Sequence, residues 1–338
     1  MENNFSTLGI NKELQALLIQ NGISEPTPVQ EQTIPALLSG KDVMAQAQTG
    51  TGKTLAFILP IMEKIDVKKY CIQALIVTPT RELALQITAE ARKFAPGKGI
   101  NILTLYGGQD IVQQVKKLRG NVQIAIGTPG RLLDHLRRKT VNFSHLSILV
   151  LDEADRMFDM GFLKDIEQII HHTPEERQTM IFSATLPTEI RSLASQYTRE
   201  PIQIKVKSKN VTLDEIRQIV VETAEIKKQD ALFKAIDEYK PFMAIIFCRT
   251  KRRVSALNGA LRRHGYNSDE LHGDLTQAKR EKAMRAFRKV EVQFLVATDV
   301  AARGLDIEGV TYIFNYDMPQ DTDSYIHRIG RTGRAGQT

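Results

Sequence analysis

Residues 47–54 read Ala47-Gln48-Thr49-Gly50-Thr51-Gly52-Lys53-Thr54, AQTGTGKT. The stretch fits the phosphate-loop pattern at Gly52, Lys53 and Thr54, with Ala47 standing where that pattern opens on glycine. Gly50 and Gly52 let the backbone turn tightly and aim its N–H groups inward, making a concave anion site. Lys53 supplies positive charge for β- and γ-phosphates, and the Thr54 hydroxyl is a natural magnesium ligand. A strand-like run, KDVMAQA, precedes the loop and an apolar helical run, LAFILPIMEKI, follows it. The start of that helix adds its partial positive charge to the same site. A glycine-rich turn with a chance Gly-Lys-Thr would leave this strand–loop–helix setting unexplained. The stretch predicts a nucleoside-triphosphate site.

Outward from the loop, one pattern recurs: a short β-branched run, a polar or glycine cluster, then a helical stretch. The runs are QALIVTPTRE (73–82), INILTLYGG (100–108), VQIAIGTPGR (122–131), ILVLDEAD (148–155) and TMIFSAT (179–185), then AIIFCRT (244–250), VQFLVATD (292–299) and VTYIFNYD (310–317). Leu83, Ile87, Ala91 and Phe94 form one helical apolar stripe, and Ile190, Leu193 and Tyr197 another. The alternation predicts an α/β class with mostly parallel sheets flanked by helices. Open sheets of this kind bind ligands at the C-terminal strand edge, where each run ends in its polar cluster. Two copies of the architecture are expected, residues 1–205 and 213–338, joined by a short polar linker at 206–212. Only the first copy carries a phosphate loop.

At 338 residues the chain is long for one domain and comfortable for two. No apolar run approaches the roughly 20 residues of a membrane span, and the N-terminus, MENNFSTLGI, lacks the basic and apolar regions of a secretory signal. Cys71 and Cys248 flank apolar strands and read as buried, reduced thiols of a cytoplasmic protein. The net charge of +7 is spread evenly. Residues 1–210 hold 25 Lys and Arg against 21 Asp and Glu, and the remainder 21 against 18. That balance permits nucleic-acid binding without demanding it.

A second chemical signature lies at 148–155, where four apolar residues lead into Asp152, Glu153, Ala154 and Asp155. Acidic residues there could cap a helix. Beside Lys53 and Thr54 they read instead as the second half of a nucleotidase, with Asp152 holding magnesium through water and Glu153 orienting and deprotonating the attacking water. Through these residues the chain resembles a DEAD-box ATP-dependent RNA helicase, a superfamily 2 enzyme of two RecA-like domains. The resemblance covers essentially the whole chain, with some ten motifs in the family's order.

The resemblance implies further site residues. In GISEPTPVQ (22–30), with Thr27, Gln30 would read the adenine edge, a sensible role for an amide that both donates and accepts; Phe5 would pack on the ring. Pro79, Thr80 and Arg81, Gly107 and Gly108, and Thr128, Pro129, Gly130 and Arg131 would contact RNA. Hydroxyls, glycine amides and helix N-termini suit a sugar-phosphate backbone. Ser183 and Thr185 of the Ser-Ala-Thr motif would couple hydrolysis to strand separation through hydrogen bonds to Asp155. In the second copy, Thr250, Gly273, Asp274, Gln277, Arg280 and Thr298 would face RNA, and Asp306 the ATP ribose. In HRIGRTGR (327–334), Arg331 and Arg334 would reach the γ-phosphate.

The implied activity is RNA-dependent hydrolysis of ATP with Mg2+, in which both ligands favour a closed state and so bind cooperatively. The partners implied are single-stranded and short duplex RNA; closure would bend one strand, which a duplex cannot follow, and so open a few base pairs without sequence preference, the 2′-hydroxyls favouring RNA over DNA. An ATP-gated RNA clamp and a DNA translocase are the rival readings. Intact Glu153, Ser183 and Thr185 oppose the first, and Gln30 with the DEAD sequence the second. A monomer is expected, with ribosome-assembly or RNA-decay partners, and the short N-terminus resembles bacterial members. The sequence stops four residues after Arg334, before the further strand and helix the family implies, so a truncated second domain is expected.

Overall fold

The structure is a computed structural model that describes residues 4–48, 50–206, 216–302, 309–319, 321–330 and 332. The chain divides into two compact units, Met1–Ser208 and Lys209–Thr338. Residues 207–215, which include most of the expected linker, lie outside the described residues.

The first unit is built on seven strands: β1 (Val43–Gln46), β2 (Ala74–Val77), β3 (Ile102–Leu105), β4 (Ile124–Gly127), β5 (Ile148–Asp152), β6 (Gln178–Ser183) and β7 (Ile202–Lys205). They pair in parallel in the order β3-β4-β2-β5-β6-β1-β7. The period of two sorts side chains to the two faces. Ile148 and Val150 of β5 enter one apolar core with Ile34, Phe57 and Ile87. Leu149 and Leu151 enter the other with Ile166, Ile169 and Leu193. A sheet covered on both faces explains why its central strands read as continuous apolar runs.

The second unit has β8 (Ala244–Phe247), β9 (Ser268–Leu271), β10 (Phe294–Ala297) and β11 (Tyr312–Asn315), parallel in the order β11-β8-β10-β9. Ile245, Leu295 and Phe287 pack on one face, and Ile246, Val296 and Leu257 on the other.

Two strands were not among the expected runs, and both lie at an edge. β9 is Ser-Asp-Glu-Leu, and β7 buries only Ile204. An edge strand need not be apolar on both faces, so it leaves no run of the kind that marks a central one. The cysteines are free, but only Cys248 is buried; Cys71 is partly exposed, a correction to the expectation of two buried thiols. Burial pushes the Cys248 thiol up to about 12, which keeps it protonated at neutral pH.

Candidate active site and nucleic-acid-facing rim

Strand order decides which motifs meet. β6 lies between β5 and β1, with Gln46 level with Ser183 and Asp152 level with Phe182. The loop after β1, the acidic end of β5 and the Ser-Ala-Thr end of β6 are therefore neighbours at one C-terminal edge. The Ala47 N–H donates to the Ser183 carbonyl at 2.9 Å, and the Gln46 amide reaches the Ala184 carbonyl at 3.2 Å.

Within the loop, Gly50 and Gly52 take φ of 85° and 91°, the left-handed region that favours glycine. Gly52 is the N-cap of the helix Lys53–Lys64. A Cβ there would come within 2.6 Å of Gln30 Nε2 and 2.7 Å of Thr27 Oγ1. Gln30 is buried; its Nε2 donates to the Gly52 carbonyl at 3.0 Å and its Oε1 accepts from the Thr27 N–H at 3.0 Å. The expected adenine reader and the phosphate loop are thus one bonded unit. Lys53 is buried with its ammonium on the Ala47 carbonyl at 2.9 Å, and the Thr51 hydroxyl closes the turn on the Gln48 carbonyl at 2.8 Å. Thr54 follows in the first helical turn. Phe5 is 4% exposed, within the apolar core that also holds Ile34 and Phe57.

Asp152, 3% exposed, ends β5. Burial pushes its carboxyl up to about 6, with Lys53 pulling it down and Glu153 pushing it up. Glu153 holds φ 53° and ψ 51°, a left-handed backbone that costs energy in a non-glycine residue. Its carboxylate lies 3.3 Å from Arg156 Nε, both side chains almost fully buried. Asp155 receives the Thr185 N–H at 2.8 Å and the Thr185 hydroxyl at 3.0 Å, and its own N–H donates to the Ser183 hydroxyl at 3.1 Å. The three expected coupling residues are therefore in direct contact.

The residues present fit a magnesium nucleotide. A glycine cradle that no Cβ could enter, a buried ammonium at its mouth, and hard oxygen donors on Thr54 and Asp152 match a triphosphate carrying magnesium, which binds through few protein ligands.

The other candidate residues gather on β2, β3 and β4, which are also adjacent. Thr80 caps the helix Arg81–Phe94, its hydroxyl accepting from the Leu83 N–H at 3.2 Å. Capping occupies a lone pair and leaves the O–H as a donor. Arg81 lies over the turn formed by Gly107 and Gly108, where a Cβ on Gly108 would collide with its guanidinium. Pro129 opens the helix Pro129–Arg137, and nothing crowds Gly130. Arg131 donates to Gln114 Oε1 at 2.9 Å and to the Gln109 carbonyl at 3.1 Å.

In the second unit Thr250, Gly273, Asp274 and Thr298 follow β8, β9 and β10, again neighbours. Thr250 caps the helix Lys251–Arg263. Asp274 is paired with Lys251 at 2.5 Å, and Gln277 Nε2 with Glu281 at 2.9 Å. Gln277 and Arg280 lie in the first turn of the helix Gln277–Arg288. Thr49, Asp306, Arg331 and Arg334 lie outside the described residues.

Residues 27–193 match the DEAD/DEAH box helicase family and residues 227–336 the helicase conserved C-terminal domain. A DEAD-box ATP-dependent RNA helicase CshA from Geobacillus kaustophilus is 51% identical over 334 residues, 99% of this chain and 72% of that protein. The chain belongs to the DEAD-box family of ATP-dependent RNA helicases. The Bacillus subtilis CshA helicase is 50% identical, over 99% of this chain and 68% of its own length. Among solved structures, yeast Dbp5 bound to RNA and ADP BeF3 resembles the chain with a TM-score of 0.88 at 31% identity, covering 100% of this chain and 88% of Dbp5. A DEAD-box protein of Methanococcus jannaschii gives 0.60 at 39% identity, over 99% and 90%.

For a member of this family, sequence reasoning left four side chains out. Arg156 follows the acidic motif and was not given a role. Gln114 and the fully buried His135 sit behind Arg131. Arg328, in HRIGRTGR, makes two bonds to Asp299 at 2.5 and 2.6 Å, a third to Asn315 at 2.9 Å, and stacks 4.9 Å from the Phe247 ring. The motif that drew attention to Arg331 and Arg334 contained it. Its role as a buried clasp between strand ends needed the β11-β8-β10 adjacency.

Proposed function

We propose that this chain hydrolyses ATP, with magnesium, when RNA is bound, and uses the cycle to open short stretches of RNA duplex. The observation that carries the reading is the meeting of three distant segments at the β1, β6 and β5 ends. The Lys53 ammonium, the Asp152–Glu153 carboxylates and the Ser183–Thr185 hydroxyls share one edge. In this reading Lys53 binds the β- and γ-phosphates once a nucleotide displaces its bond to the Ala47 carbonyl. Thr54 and Asp152 hold magnesium, which when bound neutralises charge on the phosphate oxygens. Glu153 accepts a proton from the attacking water. Asp155 reports the state of this edge to Ser183 and Thr185. Arg331 and Arg334 of the second unit supply charge to the γ-phosphate, contributing about 10³–10⁵ in rate.

On the β2–β4 side, Thr80, Arg81, Gly107, Gly108, Thr128 and Arg131 offer hydroxyls, amides and guanidinium groups. That chemistry grips a sugar-phosphate strand without reading bases. Little sequence preference is expected, and any choice of RNA lies with partners. The CshA relatives are bacterial. In this reading the enzyme is cytoplasmic and monomeric and acts with ribosome-assembly or RNA-decay partners. Among the described residues no helix is long and apolar enough to cross a membrane.

Glu153→Gln tests the reading. It keeps the shape of the side chain but cannot take a proton, so turnover should fall at least about 100-fold. ATP and RNA should still bind, and RNA should leave more slowly in ATP than in ADP. Turnover close to wild type, or RNA release indifferent to the nucleotide, would show that Glu153 is not the general base or that ATP does not gate RNA.

A further inference from the structure

The helix Ile111–Leu118, IVQQVKKL, packs in a way its sequence does not suggest. Its one fully buried residue is Gln114, 2% exposed, while Val112 is 67% exposed. Ile111, Val115 and Leu118 are half-buried around it, Leu118 against the apolar core, and an amide at the centre of such a packed face tolerates burial only when its hydrogen bonds are made. Here all four are. The Oε1 accepts from Arg131 Nη1 at 2.9 Å and faces His135 Nε2 at 2.9 Å. The Nε2 donates to the Tyr106 carbonyl at 3.1 Å and to Gln109 Oε1 at 3.3 Å.

The bond to Gln114 places a proton on the His135 ring. An amide oxygen is only an acceptor, so His135 Nε2 carries the proton, while Nδ1 lies 2.8 Å from the Thr140 hydroxyl, which is also 3.1 Å from the His135 carbonyl. Burial first, and Arg131 second, push the His135 pKa down, in keeping with a neutral ring. Arg131 is also bound to the Gln109 carbonyl at 3.1 Å. One buried glutamine thus ties the turn after β3, which carries Gly107 and Gly108, to the guanidinium on the helix after β4.

We propose that Gln114 is the positioning residue of the RNA-facing rim: it presets the Arg131 guanidinium and the 106–109 turn as one rigid surface for a single RNA strand. The inference rests on the reading of that rim as an RNA contact. An arginine already oriented loses less side-chain freedom when it meets a phosphate, so preorganisation appears as affinity. Gln114 touches no RNA in this scheme and acts through Arg131.

The test uses the whole chain and a fluorescein-labelled single-stranded RNA oligonucleotide. Gln114→Met keeps the volume without the hydrogen bonds and is compared with Arg131→Ala and the double variant, each checked by its melting curve. Gln114→Met should weaken RNA binding about tenfold at 0.1 M salt and raise the RNA concentration for half-maximal ATPase stimulation by the same factor. The stimulated plateau should stay within about twofold. The slope of log affinity against log salt should fall by about one for Arg131→Ala, which removes a charge from one phosphate, and stay nearly unchanged for Gln114→Met, whose arginine keeps its charge. The double variant should bind RNA as Arg131→Ala does, because the two residues act through one contact. Unchanged RNA affinity in a folded Gln114→Met protein, or losses that multiply in the double variant, would overturn the proposal. An Arg131→Ala protein with full RNA affinity would instead sink the reading of the rim itself, whatever Gln114→Met does.

Discussion

Asp152 shows what a candidate active-site residue costs the fold that carries it. Its carboxyl is buried and titrates at about 6, against 3.8 unperturbed. A folded-state pKa above the unfolded one means that the native protein binds the extra proton between roughly pH 4 and 6. The stability linked to that proton is complete below the lower value and lost as pH rises through the upper. At pH 7.5 the ionised group therefore burdens the ligand-free fold by on the order of 2–4 kcal/mol. Asp152→Asn should raise the melting temperature of the ligand-free protein by several degrees at pH 7.5 and hardly at all near pH 4, while abolishing turnover. A lowered melting temperature at pH 7.5, or an equal gain at both pH values, would contradict the burden. Glu153 and Arg156 differ, because each buries a charge beside the other. Removing one partner of such a pair is destabilising, so the Glu153→Gln variant needs its melting curve beside its kinetics.

Among the elements, the helix Gln277–Arg288 closes on a residue poorly suited to its place. Val290 has φ 59°, its N–H bonded to the Phe287 carbonyl at 3.0 Å, while the Glu291 N–H reaches Ala286 at 2.9 Å. A left-handed residue ending a helix is normally glycine, and a β-branched side chain there is strained. Val290 is also partly exposed, so little packing is lost with its side chain. Val290→Gly should stabilise the second unit by about 1 kcal/mol, seen as a higher urea midpoint with an unchanged slope. A lower midpoint would mean that the valine packs more than its exposure implies.

At the scale of the whole molecule, the proposed cycle needs both units. The phosphate loop and the acidic motif belong to the first, and Arg331 to the second. If Arg331 acts only on the γ-phosphate, Arg331→Ala should cut RNA-stimulated turnover by orders of magnitude and leave ADP affinity within about twofold, since ADP lacks that phosphate. Lysine should rescue poorly, because a point charge cannot reproduce the planar fork. Saturating-substrate kinetics beside an ADP titration decide the matter. Turnover and ADP affinity lost together would make Arg331 a structural residue.

The sequence by itself determined the parallel α/β class, the phosphate loop and the acidic strand end, because each is written in a few consecutive residues whose chemistry is local. A Gly-Lys-Thr at a strand-to-helix turn has few other uses, and a strand buried on both faces must be apolar throughout. Edge strands β7 and β9 were illegible for the opposite reason: half of each faces away from a core. The tertiary structure alone decided which motifs meet. The order β3-β4-β2-β5-β6-β1-β7 puts Lys53, Asp152 and Ser183 at one end of the edge and Arg81, Gly108 and Arg131 at the other. Nothing in their spacing along the chain encodes that division. The same holds for Gln114, which sits in a helix where valine looks like the core residue. Its burial is stable only because Tyr106, Gln109, Arg131 and His135, brought in by two different strands, satisfy its four hydrogen bonds.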